Sequence, residues 1–456
     1  MTDLPNDIEQ LKALIKQLLE ENAQLKAENA ELRRRLGLDS NNSHKPPSSD
    51  GYKKAPVNPG LPKEKNGTKG GQKGHKGNTL KRVEKPDHVQ THIPGQCQCC
   101  GRQFSADEAQ VLQSRQVFDL PEPKLIVTEH RLGQVECCGL SQTGEYPLEV
   151  TASVQYGPGV RALVTKLSVD HKMPLEQISQ LFEDMYGYEL NSATIEDALA
   201  RGFQLAEAIE NQSLESLLES PTVHFDETGV RVEGKLHWLH TASTDTHTHL
   251  FLHEKRGGEA LNSEASVLKD FSGTAVHDCW SPYFNFEDAR HVLCGAHLLR
   301  ELANLEQNDS LWAGEMREFL LDLYKMPRPI QANEEVRKHY HIILDQAELE
   351  EPPPQPGKRG KPKQTPGRNL LNRLRKHEDG VLAFALEAGV PFTNNQAERD
   401  LRPAKVKQKV SGGFRTKAGA YVYARLQATI STLRKQGRNV FAALRDLFVG
   451  RPVVLV

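Results

Sequence analysis

The sequence predicts a multidomain α+β protein, with an N-terminal coiled coil, a small zinc-ribbon-like module, a helical region and an α/β domain on a mixed sheet. Three observations carry this expectation. Leucines recur at every seventh position from Leu4 to Leu32; five of the seven cysteines fall in two tight groups, Cys97, Cys99 and Cys100, then Cys137 and Cys138; and from residue 221 short alternating apolar runs lead into alternating strands and helices.

The coiled coil comes first. Leu4, Leu11, Leu18, Leu25 and Leu32 hold one heptad position, and Ile8, Ile15, Asn22, Asn29 and Leu36 hold the other. So narrow a stripe suits a seam between two copies better than the broad face a helix buries against its own domain, and the asparagines favour a defined register and low oligomer number. Residues 1–38 are therefore expected to form a homo-oligomer through a leucine zipper. Residues 39–92 follow as a Gly/Pro-rich basic arm; within it, residues 41–82 hold ten Lys/Arg against two acids. Such a segment cannot bury enough apolar surface to fold alone. Lys69, Lys73 and Lys76 are candidate phosphate contacts, and a solvated linker is the alternative.

Residues 93–150 read as the zinc module. Cys97 and Cys100 form one Cys-x-x-Cys knuckle, but Cys137 and Cys138 are adjacent, and neighbouring residues reach one tetrahedral ion awkwardly. The set Cys97, Cys100, Cys137 and Cys138 is expected to hold one structural zinc, with His130 or Cys99 open as a replacement ligand. Residues 158–219 are expected to be helical, with Leu175, Ile178, Leu181 and Phe182 on one face, a turn at Gly187 and a second helix capped near Asn191 or Ser192. The pair resembles a helix-turn-helix, but residues 176–219 carry ten acids and one Arg, which favours packing or oligomerisation over contact with phosphate.

Residues 221–417 form the expected α/β domain. Strand candidates run at 222–226, 229–232, 237–242, 249–253 and 274–278, with a helix at 258–271 between the last two. Helices follow at 295–305 and 311–325, then a basic Pro-rich insert near 352–368, then helices at 369–388 and 395–401. Residues 418–456 close the chain as C-terminal helices, expected at 418–435 and 439–447. The net charge is −2, no apolar run approaches the ~18 residues that cross a bilayer, and Asp3, Asp7 and Glu9 replace a signal peptide's basic start. No membrane partner and a cytoplasmic location are expected.

Asp226 is read as standing where an apolar strand ends and a turn begins, and Asp278 ends a later strand in the same way. Open α/β sheets bind ligands at such strand ends. Glu398 opens a helix in Asn394-Asn395-Gln396-Ala397-Glu398-Arg399. Alone, each acid reads as a turn or cap residue; together they can hold two Mg²⁺ ions for phosphodiester chemistry. Asp400, two residues beyond Glu398, should face elsewhere. Cys294 and His297, three apart at a helix start, share a face; His297 is a candidate active-site contact, with a core histidine as its alternative, and Cys294 reads as packing.

The runs Asn42-Ser43-His44-Lys45-Pro46-Pro47-Ser48-Ser49-Asp50, Gly70-Gly71-Gln72-Lys73-Gly74-His75-Lys76-Gly77, Phe225-Asp226-Glu227-Thr228, Cys294-Gly295-Ala296-His297-Leu298 and Asn394-Asn395-Gln396-Ala397-Glu398-Arg399 occur in this order. Together they resemble the transposases of the insertion sequence 66 family over nearly the whole chain. The resemblance implies an RNase H-like catalytic domain, a DDE triad of Asp226, Asp278 and Glu398 with His297 nearby, and two Mg²⁺ ions. It also implies cleavage and joining of double-stranded DNA at an element's terminal inverted repeats and at a target, with companion proteins of the element as possible partners. Arg399, Arg402, Lys405, Lys407, Lys409 and Arg415 are further candidate DNA contacts. A catalytically silent DNA-binding regulator and an RNase H-like nuclease without strand transfer are the competing readings.

Overall fold

The computed structural model describes residues 79–147, 149–354 and 364–455, with Lys12, Lys16 and Gln17. Apart from those three, the zipper lies outside the described residues, as do Lys69, Lys73, Lys76 and residues 355–363 of the basic insert.

In the cysteine module β1 (Gln134–Cys137) and β2 (Leu140–Thr143) form an antiparallel hairpin. Its turn is Cys138-Gly139, both left-handed at φ 55° and 75°, the backbone that matches the twist of a tight hairpin. The first knuckle closes through Gly101 N–H to the Cys97 carbonyl at 2.9 Å and Cys97 N–H to the Arg102 carbonyl at 2.8 Å.

Next come α1 (Pro158–Thr165), which continues through one π turn at Lys166–Asp170, α2 (Leu175–Tyr186), α3 (Ser192–Leu205) and α4 (Glu207–Leu218). The sequence cues act as expected: α2 stops at Gly187 with φ 69°, and the Asn191 side chain accepts from Ala193 N–H at 2.9 Å to cap α3. Ile178 and Phe182 are buried against Val164, Leu190, Ile195 and Ala198.

The central sheet comprises β3 (Thr222–Val232), β4 (Lys235–Ser243), β5 (Thr248–His253), β6 (Thr274–His277) and β7 (Arg290–Leu293), with a one-turn helix α5 (Gly258–Leu261) after β5. Spatial order is β5-β4-β3-β6-β7; β3, β4 and β5 pair antiparallel, whereas β6 and β7 run parallel to β3. The sheet is therefore mixed, as expected. Glu227-Thr228, read from sequence as the gap between the strand candidates at 222–226 and 229–232, instead lies inside β3: Thr228 pairs with Leu239 and Gly229 with Trp238, and the buried Val230 and Val232 carry the alternation on. The helix expected at 258–271 is only α5 and a 3₁₀ turn at Val267–Asp270.

Helices α6 (Gly295–Glu306), α7 (Leu311–Lys325), α8 (Asn333–Glu350), α9 (Pro366–Lys376) and α10 (Glu378–Leu386) form a block with its own core around Leu302, Trp312, Met316, Tyr340, Leu371 and Leu382. Helix α8 is not expected from sequence, and the single helix expected at 369–388 is two, broken at His377. The chain returns to the sheet with α11 (Asn395–Ser411), α12 (Lys417–Lys435) and α13 (Val440–Val449). Rather than stopping before Pro403, α11 runs through it. One core joins Val230, Leu239 and Leu250 of the sheet with Leu401, Tyr423, Ile430 and Leu444 of these helices and with Ala162 and Ile209 of the earlier ones.

Candidate active site

Strand β3 outruns its parallel neighbour, and this creates the site. The pairing of β3 with β6 ends at His224 and Val276; continuing that register sets Asp226 opposite Asp278, the first residue beyond β6. Asp226 is thus mid-strand and not at a strand end as the sequence suggested, but it stands past the end of β6, where the sheet opens. Pairing of β6 with β7 ends at His277 and Leu293, so Cys294 emerges at the same edge.

Glu398 is brought there by the start of α11. Asn394, fully buried, fixes that start: its Nδ2 donates to the Phe225 carbonyl at 2.7 Å, its Oδ1 lies 3.0 Å from His224 Nδ1, and its backbone N–H donates to Cys294 Sγ at 3.1 Å. Gly295 N–H donates to the Phe392 carbonyl at 2.8 Å. A Cβ at Gly295 would lie 2.2 Å from the Phe392 ring, so only glycine lets α6 and the segment before α11 approach this closely.

The site is strongly anionic. Burial, then the charges of Glu227, Asp278 and Glu398, holds the Asp226 carboxyl well above the usual carboxylate range. Its Oδ1 accepts from Glu227 N–H at 2.8 Å, and Asp278 Oδ1 accepts from Trp280 N–H at 2.9 Å. Glu398 Oε1 lies 3.4 Å from Arg300 Nη2 and 3.9 Å from His297 Nε2. Burial pushes the Cys294 thiol up to about 11. Cys294, His297 and Glu398 each offer a ligand atom within 4.8 Å of the other two.

Glu227, beside Asp226, serves the framework. Its carboxylate accepts from Tyr283 Oη at 2.6 Å and Arg256 Nε at 2.7 Å, and the Arg256 guanidinium stacks over Trp280 at 4.1 Å and Trp238 at 5.0 Å. Arg256→Ala would leave a buried carboxylate with a single donor. Because Arg256 is itself more than a third exposed, a loss of about 1–3 kcal/mol is expected in chemical unfolding, together with altered tryptophan emission. An unchanged midpoint and spectrum would show that Arg256 does not brace this wall.

Other expected contacts divide. Arg399, Arg402, Lys409 and Arg415 are exposed on or just after α11, with Arg399 donating to Gln396 Oε1 at 2.5 Å. Lys405 is half-buried; its Nζ donates to the Gly229 carbonyl at 2.7 Å and braces α11 on β3. Lys407 is half-buried, and burial lowers its pKa. No three of the cysteines expected to hold zinc bring ligand atoms within 4.8 Å of one another; Cys137 and Cys138 sulfurs lie 3.7 Å apart. Asp400 faces away from the site, as expected, but it is buried beside Lys435 at 2.7 Å. Asn394, Arg256, Tyr283 and Arg300 do not stand out in the sequence; only Asn394, before an acidic helix start, carries a readable capping signal.

An α/β sheet with acids clustered where one strand outruns its neighbour, met by a helix across a long helical insertion, belongs here to a transposase. The model of the family described as Transposase IS66 matches residues 153–422, more than half of the chain, and the chain belongs to that family. Residues 2–81 match a family of unknown function. No curated protein matches the chain. Among the described residues, no helix is long and apolar enough to cross a membrane.

Proposed function

We propose that the chain is a DDE transposase with an RNase H-like catalytic domain, cleaving DNA at an element's terminal inverted repeats and joining it to a target. The observation that carries this reading is the convergence of Asp226, Asp278 and Glu398 where β3 outruns the end of β6. The sheet order, with three antiparallel strands followed by two parallel to the first, supports the RNase H-like assignment.

The acids fit a divalent ion because their negative charges are poorly offset: the charges of Asp278 and Glu398 help to raise the Asp226 carboxyl, and Arg300 meets Glu398 only at 3.4 Å. Asp226, Asp278 and Glu398 would hold Mg²⁺, two ions in this reading, which when bound supply Lewis-acid activation of the attacking oxygen and charge stabilisation at the leaving oxygen. Asn394 keeps Glu398 in reach of the strand ends. His297, beside Glu398, is poised to contact a phosphate. Incubating the full-length protein with Mg²⁺ and labelled element ends should give joined products; cut ends without joining would favour a plain nuclease, and intact DNA a regulator.

Exposed Arg399, Arg402, Lys409 and Arg415, with Lys69, Lys73 and Lys76 of the arm, would contact phosphates. Neutralising Lys69, Lys73 and Lys76 together should lower the salt slope of DNA binding by roughly one unit for each phosphate that the arm no longer neutralises. An unchanged slope would make the arm a linker. The zipper of residues 1–38 would pair two chains for the two element ends.

One zinc in the cysteine module also belongs to this reading, with Cys97, Cys100 and Cys138 as its main ligands. About one equivalent of zinc should copurify with protein prepared without chelator, and Cys100→Ser should reduce it. Metal analysis that finds no such reduction would count against the assignment.

A further inference from the structure

The proposed Mg²⁺ chemistry uses no thiol, yet one stands with the His297 imidazole beside Glu398. Cys294 precedes α6, His297 lies one turn further on, and Glu398 arrives from α11, so the three come from two elements that Asn394 and Gly295 hold together. Among the described residues, no other group of His, Cys, Asp or Glu gathers three ligand atoms within 4.8 Å. Mg²⁺ is a hard ion that prefers oxygen and keeps its water, and gains nothing from sulfur. A thiolate, an imidazole and a carboxylate instead form the borderline-soft set that Zn²⁺ prefers.

The geometry suits such an ion. Four-coordinate zinc at about 2.0–2.3 Å from its ligands sets them roughly 3.3–3.8 Å apart. The His297 to Glu398 separation of 3.9 Å is already near that value. Cys294 is 1% exposed, whereas the side chains of His297 and Glu398 are 13% and 28% exposed, so solvent can supply a fourth ligand from one side only. The N-termini of α6 and α11 both face the site and favour anionic ligands. Arg300 shares Glu398 Oε1 and must give way to the ion.

We propose that Cys294, His297 and Glu398 form an inhibitory site for Zn²⁺. Binding exchanges the Cys294 thiol proton for the ion and releases it to solvent, with no change of oxidation state. Engagement of Glu398 withdraws it from the Mg²⁺ site and stops the reaction. The inhibition rests on Glu398 being a triad member; the binding does not.

The test uses the full-length protein with Co²⁺ as a spectroscopic stand-in, since thiolate coordination gives a charge-transfer absorption in the near ultraviolet. Cys294→Ser should bind about one Co²⁺ fewer than the wild type and lose the matching share of this absorption, which separates the site from the cysteine module. Glu398→Gln should bind that ion about 10–100-fold more weakly. In joining reactions at fixed excess Mg²⁺, micromolar Zn²⁺ should lower the wild-type rate about tenfold or more and the Cys294→Ser rate, relative to its own zinc-free value, less than about twofold. Cys294→Ala provides the same comparison if the serine variant does not fold. Equal cobalt stoichiometry and absorption in the wild type and both variants would overturn the site. Cobalt bound at Cys294 in a protein that never joins DNA would support the site and count instead against the proposed transposition chemistry.

Discussion

Asp226→Asn is expected to raise the melting temperature of the metal-free protein while abolishing DNA joining. The two effects share a cause. Asp226 is half-buried among Glu227, Asp278 and Glu398, and its carboxyl is held well above its usual range. An acid whose folded pKa is raised contributes stability that is fully present below its unfolded pKa, about 3.9, and lost as pH rises through the folded value. Above its unfolded pKa the carboxyl is therefore a burden on the metal-free fold, and the neutral amide removes it. The stability difference between variant and wild type should vanish in acid and grow as pH rises. Added Mg²⁺ should stabilise the wild type more than the variant, because ligands stabilise the state that binds them. Joining should fall by more than about a hundredfold, since even partners behind a metal's direct ligands contribute roughly 10–100-fold. Binding to element ends should persist, as it depends on basic residues elsewhere. Lower stability with retained joining would make Asp226 a framework residue.

Lys435→Met is expected to destabilise the fold by about 3–5 kcal/mol, the usual cost of stranding one member of a buried ion pair. Asp400 and Lys435 are 2.7 Å apart with side chains only 9% and 12% exposed. Asp400 also accepts from Ser431 at 3.1 Å, Thr248 at 3.2 Å, Gln396 at 3.2 Å and Ser243, and Lys435 donates to the Thr244 and His247 carbonyls at 2.7 and 3.0 Å. Without the ammonium, Asp400 keeps its hydroxyl donors but loses its counter-charge in a site too dry to replace it. The pair ties α11 to α12 and the β4–β5 turn, so its removal should also loosen the helix that carries Glu398. Urea unfolding should show the midpoint shift directly, and a midpoint within error of wild type would mean that water takes the place of Lys435. Asp400→Asn should be less stable than wild type for the same reason.

Much of the local structure is legible in the sequence because it depends on local chemistry. The stop at Gly187 and the Asn191 cap each follow from neighbouring residues. Where pairing or packing decides, the sequence misleads. Glu227-Thr228 reads as a gap between two strands, yet β4 lies alongside and extends β3 through it. Pro403 should end a helix, but the burial of Leu401 and Ala404 against the sheet carries α11 past its missing N–H. Helix α8 escapes notice because its strongly charged sequence, between proline-rich flanks, hides Val336, Tyr340, Ile343 and Leu344.

The site divides the same way. A strand ending at Asp278 and a helix start at Glu398 are legible, whereas Asp226 lies inside β3 and not at the strand end that the sequence suggested; the charges of Asp278 and Glu398 both act on its carboxyl. Their supports are not visible because each comes from far along the chain: Arg256 reaches Glu227 across 29 residues, Tyr283 across 56, and Asn394 meets His224 across 170. Nothing in the local sequence marks Arg256 or Tyr283 as such partners, and the capping signal at Asn394 does not reveal its reach to His224.

Whether these three carboxylates form one divalent-ion site can be read from anomalous diffraction of crystals of the full-length protein grown with Mn²⁺ and an element-end duplex. Anomalous density is expected between the carboxylates of Asp226 and Asp278, with Glu398 completing the site. Mn²⁺ bound elsewhere on a DNA-loaded complex, with Asp226 and Asp278 uncoordinated, would contradict the assignment.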